Sequence, residues 1–426
     1  MRKRKKILFI LFFSVLLLFL VAFAFIYFRV DNSVTWRAPT SSFKNRNTVS
    51  RIDGTSIATD SLTGYIRALI TKVQVHGLAV SIINNNELVY QNYFGFRNVK
   101  KSEPLTPGTL FYGASLSKTI FADVVMQLVE ENKINPDTPL YKYLKQPLYT
   151  YKTNFLQRFF GANHFDYEDL EHDERYKLIT ARMCLSHTTG LPNWRWLEED
   201  KKLKIKFAPG TRYSYSGEGM FLLQFVIEQI TGRDFKDIAF EKVLQPLQMN
   251  NSSFVWQRSY ESNYGVGHDG QGNDLRIPKP NVSNAAGSLT TTLEDYTRFF
   301  QAVLKQDKPR YSKLIAPQIR IKSKQQFGPN AWIDTDENDS IKLSYGLGFG
   351  LFFTPYGKAF FKEGHLEGWQ HYVVGFPETG TGIVLLSNSD NAESIFKELL
   401  EVSIANKYTP WYWENYLPYK NDSLKQ

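Results

Sequence analysis

Strand-type patterning is confined to the two ends of this chain, and that split restricts the folds open to it. Leu78 to Ile83 and Leu88 to Phe94 flank the turn Asn84-Asn85-Asn86 and read as one β-hairpin. No comparable pattern returns before Tyr345. There Tyr345 to Phe353 and Lys358 to Lys362 flank Thr354-Pro355-Tyr356-Gly357, and Tyr372 to Phe376 and Gly382 to Ser387 flank Pro377-Glu378-Thr379-Gly380. Two hairpins in succession predict an antiparallel sheet. Leu62, Ile66, Leu69, Ile70 and Val73 recur at helical spacing up to His76-Gly77, and a last helix is expected from about Ala392 to Ala405. Between the early and late strands lies a largely helical stretch of roughly 250 residues. The expected fold is α+β: an antiparallel sheet built from both ends of the chain, flanked by N- and C-terminal helices, with a large helical insertion.

The N-terminus addresses location. Ile7 to Phe28 carries no charge over 22 residues. As a helix it would span roughly 33 Å, against about 30 Å of bilayer hydrocarbon. Arg2, Lys3, Arg4, Lys5 and Lys6 precede it and favour the cytoplasmic side. The expectation is a cytoplasmic basic stub (1–6), a single transmembrane anchor (7–28) and a catalytic body outside the cytoplasm, in the periplasm or the extracellular space. A cleaved signal peptide is the competing reading, since Ala22-Phe23-Ala24 fits a small-x-small site. Phe25, Ile26, Tyr27 and Phe28 then continue the apolar run, which favours an uncleaved anchor. Residues 29–60, rich in Ser, Thr, Asn and Arg, read as a linker, 61–408 as the body, and 409–426 as an aromatic tail. Trp411, Tyr412, Trp413, Tyr416 and Tyr419 of that tail are expected to pack on the body.

Charge and cysteine usage exclude other classes. The formal net charge is +9, but five of those charges belong to the basic stub, so no nucleic-acid-binding face is implied. Cys184 is the only cysteine, which rules out an intramolecular disulfide and a cysteine zinc site; it is expected to be buried. The acidic run around His164 to Glu174 lacks a recognised ligand spacing and reads as a solvated face, so no metal is called for.

The chemistry-bearing segment is Phe111-Tyr112-Gly113-Ala114-Ser115-Leu116-Ser117-Lys118, which opens a helix whose buried stripe includes Leu116, Ile120, Phe121, Val124, Val125 and Leu128. Ser115 and Lys118, three apart, share a helix face. A serine at a helix start gains a favourable dipole and an unpaired N–H for an oxyanion, and a desolvated neutral lysine can take its proton. Ser-x-x-Lys also occurs at Ser41 and Ser394, so the spacing alone is weak. Two further segments add to it. Phe207-Ala208-Pro209-Gly210 leads into Tyr213-Ser214-Tyr215-Ser216-Gly217, and a late strand runs into Glu363-Gly364-His365-Leu366-Glu367-Gly368-Trp369.

In that order, Ser-x-x-Lys, Tyr-Ser, then His and Gly on a late strand, the chain resembles the serine β-lactamase and DD-peptidase superfamily, in its class C-like branch of β-lactamases, D-amino-acid peptidases and carboxylesterases. Leu185-Ser186-His187-Thr188-Thr189-Gly190-Leu191-Pro192, Pro246-Leu247-Gln248-Met249 and Ala285-Ala286-Gly287-Ser288-Leu289-Thr290-Thr291 add to the resemblance, which covers about residues 61 to 405. It implies an acylated nucleophile at Ser115, an activating base at Lys118, proton transfer through Tyr215, and His365 in the place where the family has Lys or His. It further implies an oxyanion hole from the Ser115 and Gly368 amides, a cleft bordered by Gly217, Glu367 and Trp369, a structural hydrogen bond at His187, and no cofactor.

The chain departs from the β-lactamase pattern at Tyr215-Ser216-Gly217, where Tyr-x-Asn is usual, and at His365-Leu366-Glu367, where Lys-Thr-Gly is usual. These departures point to a membrane-anchored serine hydrolase cleaving a small ester or amide, with a β-lactam or a D-amino-acid peptide inside the same chemistry. A cell-wall D-alanyl-D-alanine carboxypeptidase acting on a peptidoglycan-like substrate and a catalytically silent penicillin-binding-like scaffold are the alternatives.

Overall fold

The computed structural model describes residues 43–153 and 165–419. The expected stub, membrane anchor and first part of the linker lie outside these residues. Among the described residues no helix is long and apolar enough to cross a membrane.

The elements that position the site are, in chain order, β1 (Thr48–Ser50), β2 (Ser56–Ala58), α1 (Thr59–Val73), β3 (Gly77–Asn84), β4 (Glu87–Asn98), β5 (Glu103–Pro104), β6 (Phe111–Tyr112), α2 (Ser117–Glu130), α3 (Ala181–Leu185), α4 (Gly217–Thr231), β7 (Thr290–Thr291), α5 (Leu293–Lys305), β8 (Ile319–Arg320), β9 (Ser344–Tyr345), β10 (Gly350–Thr354), β11 (Gly357–Leu366), β12 (Trp369–Phe376), β13 (Thr381–Ser387) and α6 (Glu393–Ile404). Nine strands form one antiparallel sheet in the order β5-β4-β3-β13-β12-β11-β10-β9-β8. The two ends of the chain meet where β3 pairs with β13, Val80 opposite Leu385.

The sheet is covered on both faces, which is why its central strands read as nearly unbroken apolar runs. Side chains alternate between two cores. Val80, Ile82, Phe361, Tyr372, Val374 and Leu385 pack with Leu62 and Ile66 of α1 and Ile395 and Leu399 of α6. Ala79, Ile83, Phe360, Val373 and Val384 pack with Ile120, Phe121 and Val124 of α2 and Phe300 of α5. A one-residue slip would exchange the two sets, so the register is strongly specified.

Three expectations are corrected. The stretch between the early and late strands is less helical than its sequence suggested: among the described residues between α2 and α4 it is mostly irregular chain with short 3₁₀ turns and the five-residue α3. Ring-to-ring packing of Tyr141 and Tyr149 on Tyr176 orders this region in place of long helices. Residues 43–60 are no tether. β1 and β2 pair with each other, Val49 is fully buried, and Ile52 N donates to Ile404 O at 3.1 Å. A three-residue strand is too short to show a period. The body also continues past 408, because Trp411 and Trp413 are buried, as the aromatic tail's apolar area predicts. Cys184 is buried, as expected.

Candidate active site

The nucleophile turn is fixed by the segment that follows it in space. β6 pairs with β7, Phe111 opposite Thr291, and Gly113 N donates to Leu289 O at 2.7 Å. Leu289 N in turn donates to Ser117 Oγ at 2.9 Å. Ala114, immediately before Ser115, has φ 44°, a left-handed conformation that costs a residue with a Cβ about 1–2 kcal/mol and gave no signal in the sequence. A single 3₁₀ turn, Ala114–Leu116, then runs into α2, so the Ser115 amide is among the first N–H groups of the helix, which have no intrahelical acceptor.

Lys118 Nζ lies 2.9 Å from Ser115 Oγ and donates to Ala286 O at 2.7 Å. Its ammonium form is disfavoured: complete burial and the nearby Lys362 charge push it well below the ordinary lysine value, against a partial opposing pull from Glu363. Tyr215 is buried at the start of α4 and its hydroxyl bonds the Ser115 side chain. His187 carries the tyrosine: its ring lies over that of Tyr215 at 4.3 Å, its Nδ1 accepts from Ser216 N at 3.2 Å and its carbonyl from Ser214 N at 2.8 Å. The structural hydrogen bond expected of His187 is therefore present.

The group facing Tyr215 from the sheet is Lys362. Its Nζ donates to the Tyr215 hydroxyl at 3.1 Å and to Glu363 Oε1 at 2.5 Å. Burial is the largest single influence and lowers its pKa, but the charge and hydrogen bonds of Glu363 and Tyr215 together hold Lys362 above the ordinary lysine value. Two buried lysines thus flank the serine and tyrosine with proton affinities driven apart, the arrangement that separates a base from a permanent cation.

His365 does not stand where the sequence placed it. Three positions from Lys362, it leaves the opposite face of β11, and its Nδ1 is paired with Glu393 at the start of α6. That hydrogen bond raises the His365 pKa against a smaller opposing effect of partial desolvation. Lys362-Glu363-Gly364 also satisfies Lys-x-Gly, the signal that sequence reasoning passed over. Gly364 is required there: a Cβ would lie 2.8 Å from Gly113 O and 3.1 Å from Leu116 Cγ, so only glycine lets β11 come this close to the nucleophile turn.

Moving the motif by three residues moves the oxyanion donor with it. The Gly368 amide, expected in that role, donates to Asp390 Oδ1 at 2.6 Å, and Gly368 packs on Gly267. In the ladder, the turns at Pro355-Tyr356 and Glu367-Gly368 both set even-numbered residues of β11 towards β12 from Lys362 onward. The His365 amide therefore faces the open edge of β11, beside Ser115 in the same cleft.

That cleft has a volume of about 400 Å³, and its lining includes Tyr112, Ser115, Asn193, Trp194, Tyr215, Gly287, Phe327, Glu363, His365, Glu393 and Glu414. Of the expected border residues, Gly217, Glu367 and Trp369 are not in it. Trp369 is fully buried against Phe111 and Tyr264, and Glu367 is exposed in the β11–β12 turn. Gly217 lies under Trp194: a Cβ at 217 would be 2.4 Å from Trp194 Cζ3. The indole fills the room an asparagine would need, and Lys118 Nζ lies 5.7 Å from its ring centre. Gly217→Asn is expected to destabilise the protein by about 1–3 kcal/mol through overpacking, and Trp194→Ala in the same chain to relieve that clash. Thermal denaturation of the single and double variants measures both.

An antiparallel sheet with a serine–lysine pair at a helix start and a tyrosine–lysine pair closing on it defines an acyl-transfer serine hydrolase architecture. The Beta-lactamase family profile matches residues 62–404, and the chain belongs to that family, within the serine β-lactamase and DD-peptidase superfamily. Among curated relatives, Protein flp of Staphylococcus aureus (strain MW2) is 21% identical over 364 residues, covering 79% of this chain and 64% of its own length. The Teichoic acid D-alanine hydrolase of Staphylococcus aureus (strain MRSA252) is 24% identical over 297 residues, covering 65% of this chain and 66% of its own. The chain thus spans about two thirds of the length of these relatives. Of solved structures, the octameric penicillin-binding protein homologue from Pyrococcus abyssi superposes with a TM-score of 0.63 at 21% identity, covering 84% of this chain and 80% of that one. D-alanine Carboxypeptidase AmpC from Burkholderia cenocepacia gives 0.60 at 19%, covering 78% and 94%. At these identities the two structures share the fold.

Proposed function

We propose that this protein is a membrane-anchored serine hydrolase that cleaves a small ester or amide of an amino acid through an acyl-enzyme on Ser115. The observation that carries the reading is Ser115 Oγ at 2.9 Å from a buried lysine whose charged form is disfavoured. Neutral Lys118 takes the hydroxyl proton as Ser115 attacks the carbonyl. The amides of Ser115 and His365 receive the developing oxyanion, and Tyr215, polarised by Lys362, delivers a proton to the leaving group. Water then resolves the ester by the reverse sequence. The anchoring rests on the 22-residue uncharged run and its five preceding cations.

The cleft weighs against an anionic substrate. Glu363 and Glu393 line it, Lys362 is committed to Glu363 and Tyr215, and His365 is paired with Glu393. A carboxylate-terminated donor meets no free cation among the described lining residues, which favours an amine-bearing acyl ester over a D-alanyl-D-alanine peptide. The relative named as a D-alanine hydrolase agrees with that choice.

Intact-protein mass of the full chain in detergent, after a fluorophosphonate, a penicillin and a D-alanyl aryl ester, with Ser115→Ala in parallel, tests the reading. A Ser115-dependent adduct with the fluorophosphonate and turnover of the ester support it; a folded protein that forms no adduct hands the structure to the scaffold alternative. The pH profile has a worked sign. Lys118 must be neutral, so kcat/KM is expected to fall as pH drops through its depressed pKa. Lys362 is held above the ordinary lysine value and Tyr215 is raised by burial, so the alkaline side should stay flat through weakly basic pH. An acid-insensitive profile would contradict the assignment of Lys118.

A further inference from the structure

Residues 409–419 lie beyond the segment matched by the family profile, yet Glu414, Asn415 and Tyr416 line the cleft. The segment is fastened to the body at several points. Trp413 Nε1 donates to Ser323 Oγ at 3.1 Å, Gln326 N donates to Trp413 O at 2.7 Å, and Phe327 N donates to Asn415 Oδ1 at 3.3 Å. Glu414 is 1% exposed; its Oε1 accepts from the Tyr372 hydroxyl at 2.8 Å, while its Oε2 is buried with no hydrogen-bond partner.

An unpaired buried carboxyl oxygen is unfavourable. In the wall of a reaction cleft, such an atom is suited to a partner that arrives with the substrate. The charged and titratable groups around Glu414 are Lys362 and Glu363 from β11, Tyr372 from β12, Glu393 from α6, and Tyr213 and Tyr416. Burial first, then Glu363, pushes the Glu414 carboxyl well above the usual range, which favours its neutral form while no counter-charge faces Oε2. A cation beside it reverses that balance.

We propose that Glu414 is the binding residue for the amino group of the acyl donor, Oε2 accepting an N–H of the substrate ammonium and so turning the neighbouring carbonyl towards Ser115. The proton that Glu414 releases on binding goes to solvent. This rests on the hydrolase reading above and adds the feature of the substrate that the C-terminal segment recognises.

The test compares the 4-nitrophenyl esters of D-alanine and N-acetyl-D-alanine on the full chain in detergent, wild type against Glu414→Gln. Wild type should prefer the free amine. In Glu414→Gln, KM for the free-amine ester should rise about tenfold with kcat nearly kept, while the N-acetyl ester is unaffected. Fluorophosphonate labelling of Ser115 at the wild-type rate shows that the variant's cleft is intact. Equal handling of the two esters by wild type overturns the proposal without any variant, as does a loss in Glu414→Gln that is the same for both. Failure of Ser115 to label in wild type, with no turnover of either ester, is the separate outcome that removes the hydrolase reading and this proposal with it.

Discussion

Lys362→Ala is expected to lower kcat for an aryl ester by about two to three orders of magnitude and to destabilise the fold by about 3–5 kcal/mol. The two losses have different origins. Lys362 is fully buried and its Nζ serves both Tyr215 and Glu363, so its removal leaves a carboxylate buried without its counterion and a phenol without its polarising cation. Lys362→Met with Glu363→Met removes the stranded charge and should recover much of the stability while leaving kcat low. His365→Ala is the control: its ring is paired with Glu393 on the other side of β11, and only its backbone is asked to do chemistry. Thermal denaturation and steady-state kinetics on the three variants decide the matter. A Lys362→Ala protein with wild-type kcat would return the third motif to His365.

Ser115→Ala should reduce turnover by about four to six orders of magnitude. The hydroxyl is half-buried and bonds Lys118 and Tyr215, so its loss removes the nucleophile while leaving the Gly113–Leu289 and Ser117–Leu289 bonds that hold the turn. The melting temperature should move little. Lys118, still buried, keeps its bond to Ala286 O. Kinetics and a melting curve on the purified variant test both halves; residual turnover within tenfold of wild type would mean that another group carries the reaction.

The sheet was legible because its signals are local. Hairpin turns, period-two alternation and the amphipathic stripes of α1 and α6 are each set within about a dozen residues. Ser115, Lys118 and Tyr215 were legible for the same reason, being spelled in short segments. The other two serine–lysine pairs had no such support: Lys397 of one pairs with Glu401, and Ser41 of the other lies outside the described residues. The third motif failed because Lys362-Glu363-Gly364 and His365-Leu366-Glu367 follow one another directly along and off the end of one strand, and choosing between them requires the strand face that meets Tyr215. Trp194 over Gly217, Glu414 in the cleft and the left-handed Ala114 depend on contacts between distant parts of the chain. Trp194 and Gly217 meet across 23 positions, and Tyr372 and Glu414 across 42. No window along the sequence contains them.

The pairing of β3 with β13 also governs the order in which the molecule can be assembled. β3 is made early and exposes an unpaired apolar edge until Thr381–Ser387 exists to cover it. During synthesis, the hairpin of β3 and β4 must therefore wait through the whole stretch between the early and late strands, an interval in which it is open to wrong partners. Later still comes the stretch from Thr409 to Tyr419, which contributes Glu414 to the cleft wall. A chain arrested after α6 would hold the serine, both lysines and the tyrosine but lack that part of the cleft wall and the buried Trp411 and Trp413 that pack behind it.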